Sequence, residues 1–67
     1  MTYPYAISTG NRGEKVFILQ YFLSVLAEFY DYIPSVEITG NFGAETKRSV
    51  LAFQQSKGLP QTGVVGD

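Results

Sequence analysis

Histidine, cysteine and tryptophan are all absent from this 67-residue chain, and methionine occurs once. Without histidine or cysteine, neither the usual zinc ligand sets nor the Ser-His and Cys-His nucleophile pairs can be assembled. No disulfide can staple the fold, and redox compartment cannot be read from cysteine usage. Charge is scarce as well: five Lys and Arg stand against six Asp and Glu, 16% of residues, for a net charge of −1. The cations are scattered, so no basic patch exists to neutralise phosphates, and nucleic acid is not an expected partner. No apolar run approaches the roughly 18 residues that span a bilayer. The amino-terminal Met-Thr-Tyr-Pro-Tyr-Ala-Ile also lacks the charged and long apolar regions of a signal peptide.

Catalysis is not expected from what remains. Two carboxylates can flank a glycosidic bond in a hydrolase, but Glu14 and Glu45 sit in expected first helical turns, where they complement the helix dipole. Glu28 and Glu37 read as solvated surface groups. Gly40-x-x-Gly43 lacks the following lysine of a phosphate-cradling loop and reads as a turn. The chain is accordingly expected to be no enzyme, with no catalytic residue, no metal ligands and no cofactor.

What the chain does have is apolar and aromatic surface: 45% hydrophobic residues, with five Tyr and five Phe. That composition suits one small all-α domain, near the lower size limit for a self-sufficient core. Residues 1–10 read as an extended lead-in, since Pro4 disfavours helix at Tyr3 and Ser8-Thr9-Gly10 are loop formers. Tyr3, Tyr5 and Ile7 alternate along it. The domain proper is expected over 11–67, with a first helix over about 11–31. Asn11 is its expected N-cap, with Glu14 reaching back in a capping box. Val16, Leu19, Leu23, Leu26 and Tyr30 form the inward stripe. Phe17 and Tyr21 lie on the opposite side, either covered by the lead-in tyrosines or available as a protein-contact patch.

Pro34 ends that helix, and Val36 and Ile38 alternate in a short extended connection. Gly40-Asn41-Phe42-Gly43 makes a tight turn, its glycines free to take positive φ and Phe42 plugging the core. A second helix is expected over about 44–57, with Val50 and Phe53 inward and small Ser49 allowing close approach of the first helix. Gly58 is its expected C-cap, Leu59 a core contact, and Pro60 the stop.

The tail echoes this turn. Thr62-Gly63-Val64-Val65-Gly66 repeats the Thr-Gly-x-apolar-Gly pattern of Thr39-Gly40-Asn41-Phe42-Gly43. The first copy launches a helix, so the second is expected to launch a third, which the sequence largely lacks. Gln20 and Gln54 occupy matched helix positions and are expected to hydrogen-bond loop backbone.

Taken together, Gly13-x-x-Val16-x-x-Leu19-Gln20-x-x-Leu23, Gly40-x-Phe42-Gly43-x-x-Thr46, Val50-x-x-Phe53-Gln54 and Gly58-Leu59-Pro60-x-Thr62-Gly63-x-Val65-Gly66 resemble the peptidoglycan-binding domain family. This is a small three-helix bundle appended to many bacterial cell-wall hydrolases. The resemblance covers roughly residues 10–67. Many members carry an acidic residue where this chain has Thr39, and the long connection resembles versions from Gram-positive spore and cell-wall proteins.

The resemblance implies a non-catalytic module that targets a larger protein, a hydrolase, to peptidoglycan, outside the cell at the wall or spore. Its implied partners are the glycan strand or stem peptide and an attached catalytic domain. An apolar side left bare by the missing helix would also let two copies pair. A shallow receptor for such a polymer needs aromatic platforms, side-chain amides and a cation. Tyr30 and Tyr32 are the candidate platforms, Asn41 and Gln54 the candidate amides, and Arg48 the candidate partner for a stem carboxylate. The alternative is a protein-interaction or propeptide-like module docking on a catalytic domain through Phe17 and Tyr21; the scaffold is also similar to the N-terminal part of matrix metalloprotease propeptides, whose cysteine segment is absent here.

Overall fold

The computed structural model describes residues 7–65. Tyr3 and Tyr5, and the final Gly66 and Asp67 of the repeated turn, fall outside them. The described residues form two helices, α1 (Glu14–Phe29) and α2 (Ala44–Ser56), and no strand longer than an isolated bridge.

Helix α1 starts later than expected because the backbone before it is already engaged. Gly10 N–H donates to Phe42 O (3.0 Å), Phe42 N–H to Asn11 O (2.9 Å) and Gly13 N–H to Gly40 O (2.9 Å). Residues 10–13 therefore run antiparallel to the Gly40–Phe42 turn and cannot be helical. Asn11 is not the N-cap. Its Oδ1 instead accepts from Ser8 N–H at 2.8 Å, and Gly13, at φ 121°, stands at the cap with no side-chain hydrogen bond. Upstream, Ile7 exchanges both backbone hydrogen bonds with Val65 (2.7 and 2.8 Å). The lead-in thus pairs with both copies of the repeated turn, Ile7 with the second and residues 10–13 with the first.

Helix α1 also stops earlier, at Phe29. Tyr30 is extended, and Ile33 N–H donates to Tyr30 O at 3.1 Å, so a turn over 30–33 intervenes before Pro34. That turn drives Ile33 inward, where it is buried along with Val36, whereas Ile38 stays exposed. Helix α2 ends as its sequence requires. Gly58, at φ 71°, donates to Gln55 O (3.1 Å) and Leu59 N–H to Gln54 O (2.9 Å), the two bonds of a Schellman cap. Of the two glycines framing the first turn, Gly40 takes positive φ (84°), whereas Gly43 is extended at φ −112°.

The core is a cluster of Val16, Leu23, Val36, Phe42 and Val50, with Ile7, Leu19, Phe53 and Val65 partly buried against it. Leu26 is also partly buried. Leu59 is not a core residue: it is 49% exposed, because the position after a Schellman glycine lies at the rim of the helix end and Pro60 carries the chain onward. Ile33 and Val36 take up burial that the alternation of Val36 with Ile38 did not distinguish. Phe22 packs edge-on against Phe53, with ring centroids 6.0 Å apart.

Two buried glutamines lock the turns to the helices. Gln20 Oε1 accepts from the N–H groups of Thr39 (2.8 Å) and Gly40 (2.7 Å). Its Nε2 donates to Asn41 O (2.9 Å) and the Thr46 hydroxyl (3.0 Å). Gln54 does the same at the second turn, accepting from Gly63 N–H (3.0 Å) and donating to Val64 O (2.9 Å). In each turn the threonine hydroxyl, of Thr39 or Thr62, accepts the N–H two residues on at 3.1 Å. A loop that is neither helix nor sheet must find partners for its polar backbone atoms, and a side-chain amide supplies both a donor and an acceptor.

Candidate functional site

The turn over 30–33 places Tyr30 and Tyr32 side by side on the surface, ring centroids 5.5 Å apart and tilted by 43°. Buried Ile33 and the constrained Pro34 fix the backbone beneath them. Tyr32 faces α2, and with Ala52, Gln55 and Ser56 it bounds an open groove of about 430 Å³. A second pocket of about 210 Å³ shares Tyr32 and Ser56 with it and is lined also by Tyr30, Phe22, Phe53 and Lys57. Tyr32 lines both and is 54% exposed.

Arg48 precedes Ala52 by four residues and Gln55 by seven, so all three share one side of α2. The Arg48 and Gln55 side chains make no hydrogen bond or ion pair among the described residues. Ser56 donates its hydroxyl to Phe53 O at 2.7 Å, leaving oxygen lone pairs free to accept. The arrangement offers an aromatic platform, a methyl floor, an amide, a hydroxyl and, farther along the helix, a guanidinium. These groups can stack on an apolar ring face and exchange hydrogen bonds with hydroxyls and amides.

The remaining candidates fall elsewhere. Asn41 is exposed at the turn before α2, whereas Ser56 closes the far end; a helix of this length separates them by about 18 Å at 1.5 Å per residue. Gln54 does not belong to the groove. It is buried, and both ends of its amide are committed to the second turn. Its neighbour Gln55 is the glutamine that faces solvent. Ala52, Gln55 and Ser56 lie off the inward Val50–Phe53 stripe of α2, on the stripe that the apolar periodicity does not mark. The spacing Arg48-x-x-x-Ala52-x-x-Gln55, which sets the three on one side of α2, is the signal that identifies them.

Phe17 and Tyr21 are both exposed, but they are only part of a wider apolar face. Ile18, Phe22, Val25 and Phe29 follow one another at spacings of four, three and four along α1, and Phe29 is 75% exposed. Phe17 is also partly structural: its ring lies over Gly40, where a Cβ would come within 2.7 Å of Cε2. No group of three or more His, Cys, Asp or Glu among the described residues is placed to hold a metal ion, and none of their helices is long and apolar enough to cross a membrane.

The family model for the peptidoglycan binding domain matches residues 12–67. Among solved structures, the crystal structure of the SleB N-terminal domain superposes with a TM-score of 0.77 at 30% sequence identity, covering 100% of this chain and 85% of that one. No curated protein matches the sequence. The shared fold is the all-α arrangement described above.

Proposed function

The chain belongs to the peptidoglycan-binding domain family, and we propose that it is a non-catalytic module that targets a larger protein, a cell-wall hydrolase, to bacterial peptidoglycan. The observation that carries this reading beyond family membership is the groove between Tyr32 and α2, with Arg48 on the same side of the helix. A flat aromatic ring and unpartnered polar groups on a rigid helix suit a repetitive polymer of sugars and short peptides. Asn41 offers a further amide at the opposite end of α2, within reach of a ligand that extends along the helix.

Binding at a shallow groove is weak per site. An abundant polymer compensates, because tethering raises the effective concentration of whatever is attached. The module acts outside the cell, at the wall or spore. Sedimentation with purified sacculi tests the reading. The wild-type chain is expected in the pellet, and Tyr32→Ala or Arg48→Ala is expected to lower retention about five- to tenfold, the equivalent of roughly 1–1.4 kcal/mol. A wild-type chain that stays in the supernatant would overturn the reading.

A second reading is favoured by the apolar face of α1. Ile18, Tyr21, Val25 and Phe29 are more exposed than a solvated helix face requires, and an attached catalytic domain or a second copy of the chain would cover them. Ile18→Lys combined with Phe29→Lys is expected to abolish that association and leave sacculus retention unchanged. If the double variant loses wall retention instead, the α1 face belongs to the polymer site.

A further inference from the structure

Among the described residues, the lining of the groove between Tyr32 and α2 carries no charge: it offers a phenol ring, a methyl group, a primary amide and a hydroxyl, from Tyr32, Ala52, Gln55 and Ser56. We propose that this groove takes the glycan strand of peptidoglycan through an N-acetylhexosamine residue, and that the peptide stem is not what it recognises. The inference rests on the peptidoglycan-binding reading above and specifies which part of the polymer the groove holds.

The two components of the polymer make opposite demands. A pyranose presents an apolar C–H face, neutral hydroxyls and, in an N-acetylhexosamine, an acetamide with a methyl group. A stem peptide presents carboxylates. Withdrawing a carboxylate from water into a site without a cation or a cluster of donors costs several kcal/mol. Neither Arg48, on the same helix side, nor Lys57, which lines the adjoining pocket, is among the described residues that line the groove. Each sugar feature, by contrast, has a matching group there. The Tyr32 ring suits the C–H face, the Ala52 methyl suits the acetamide methyl, and Gln55 can both donate to and accept from the acetamide or a hydroxyl. The Tyr32 hydroxyl and the Gln55 amide have no hydrogen-bond partner among the described residues. Meeting a ligand therefore breaks no bond to a described residue at either group.

The platform is also pre-positioned. Tyr30 backs Tyr32 at 5.5 Å, and buried Ile33 follows immediately, so the ring is held from behind and loses little freedom on stacking. The groove volume, about 430 Å³, falls within the range of small-ligand sites.

Nuclear magnetic resonance titration of the isotopically labelled 67-residue chain with chitotetraose and, separately, with a free stem tetrapeptide tests the assignment. Chitotetraose is expected to shift the amide signals of Tyr32, Ala52, Gln55 and Ser56, and the tetrapeptide to leave them in place. Tyr32→Ala is expected to weaken chitotetraose binding about tenfold or more, Tyr32→Phe less than about threefold, and Arg48→Ala less than about twofold. Shifts at these residues with the tetrapeptide, or none with chitotetraose, overturn the assignment. Sacculus sedimentation separates the two claims. Retention that Tyr32→Ala abolishes, without chitotetraose binding, leaves the targeting reading standing and removes this one. Chitotetraose binding at the groove without retention on sacculi does the reverse.

Discussion

Gln20 of α1 and Gln54 of α2 hold two turns of the same geometry through the same atoms. Each Oε1 accepts the N–H of a positive-φ glycine, Gly40 or Gly63. Each Nε2 donates to the main-chain carbonyl of the residue that follows, Asn41 or Val64, at 2.9 Å. The pairing makes the chain a two-copy structure: a helix carrying Val-x-x-apolar-Gln, then a Thr-Gly-x-apolar turn clipped to it. The copies differ in how far the turn lies from its glutamine, since the first must accommodate the connection bearing Tyr30, Tyr32 and Pro34.

The two glutamines are not equally critical. Gln20 reaches Thr46 as well and serves two backbone N–H groups, whereas Gln54 serves one. Gln20→Ala leaves the N–H groups of Thr39 and Gly40 without partners beside a cavity, and should cost about 3–5 kcal/mol. Gln54→Ala should cost about 1.5–3 kcal/mol. Urea denaturation checks the order; equal losses would mean the second turn is held as tightly as the first.

Gly40 is irreplaceable for two reasons at once. Its φ of 84° disfavours any side chain, and an added Cβ would meet the Phe17 ring at 2.7 Å. Gly63 has a comparable φ of 75°, but its nearest neighbour is the Lys47 aliphatic chain at 3.1 Å, which can swing into solvent. Gly40→Ala should cost about 2–4 kcal/mol and Gly63→Ala about 1–2 kcal/mol. Adding Phe17→Ala to Gly40→Ala should recover part of the loss, a coupling of about 1 kcal/mol in a double-mutant cycle. Strict additivity would show that the ring relaxes freely.

Adjacent glutamines separate fold from recognition. Gln54 is buried and committed to the turn, whereas Gln55 is exposed and lines the groove with Tyr32. Gln55→Ala is expected to leave the denaturation midpoint within about 0.5 kcal/mol of wild type while lowering sacculus retention several-fold. Gln54→Ala is expected to lower stability by the amount given above and, in the fraction that stays folded, to bind normally. The opposite assignment of effects would place the binding surface at the second turn.

Much of this architecture was legible in the sequence because local signals and global fold agree. The Gln20 and Gln54 positions, the Thr-Gly turns, the Gly58 stop and the Val16–Leu23–Phe42–Val50 core each follow from spacing or from backbone chemistry. The errors have a common cause, which is contact between segments distant in sequence. Asn11 has the composition of a cap, yet its backbone pairs with the turn at Phe42, so α1 cannot begin there. Ile33 looked like the last residue before a proline and proved to be an anchor beneath the tyrosines. The groove depends on Tyr32 of the connection facing Ala52, Gln55 and Ser56 of α2, a relationship between elements that no single stripe encodes. Of the two adjacent glutamines, Gln54 carries the motif and the structural task, whereas Gln55, which carries no motif, lines the groove.

Ser49 presents the last test, and it concerns a cost the fold carries. Its side chain is fully buried, at 0% exposure, and its Oγ has no hydrogen-bond partner. It lies one residue before buried Val50 on α2. An unsatisfied buried hydroxyl costs about 1–3 kcal/mol, and alanine is the better helix former by several tenths of a kcal/mol. Ser49→Ala should therefore stabilise the domain by about 0.5–1.5 kcal/mol. Ser49→Val, which adds bulk at a fully buried position, should destabilise it by about 1–3 kcal/mol. Thermal or urea midpoints distinguish these outcomes. A Ser49→Ala variant less stable than wild type would mean that the hydroxyl is satisfied by a bound water, and that its burial is not a cost the fold carries.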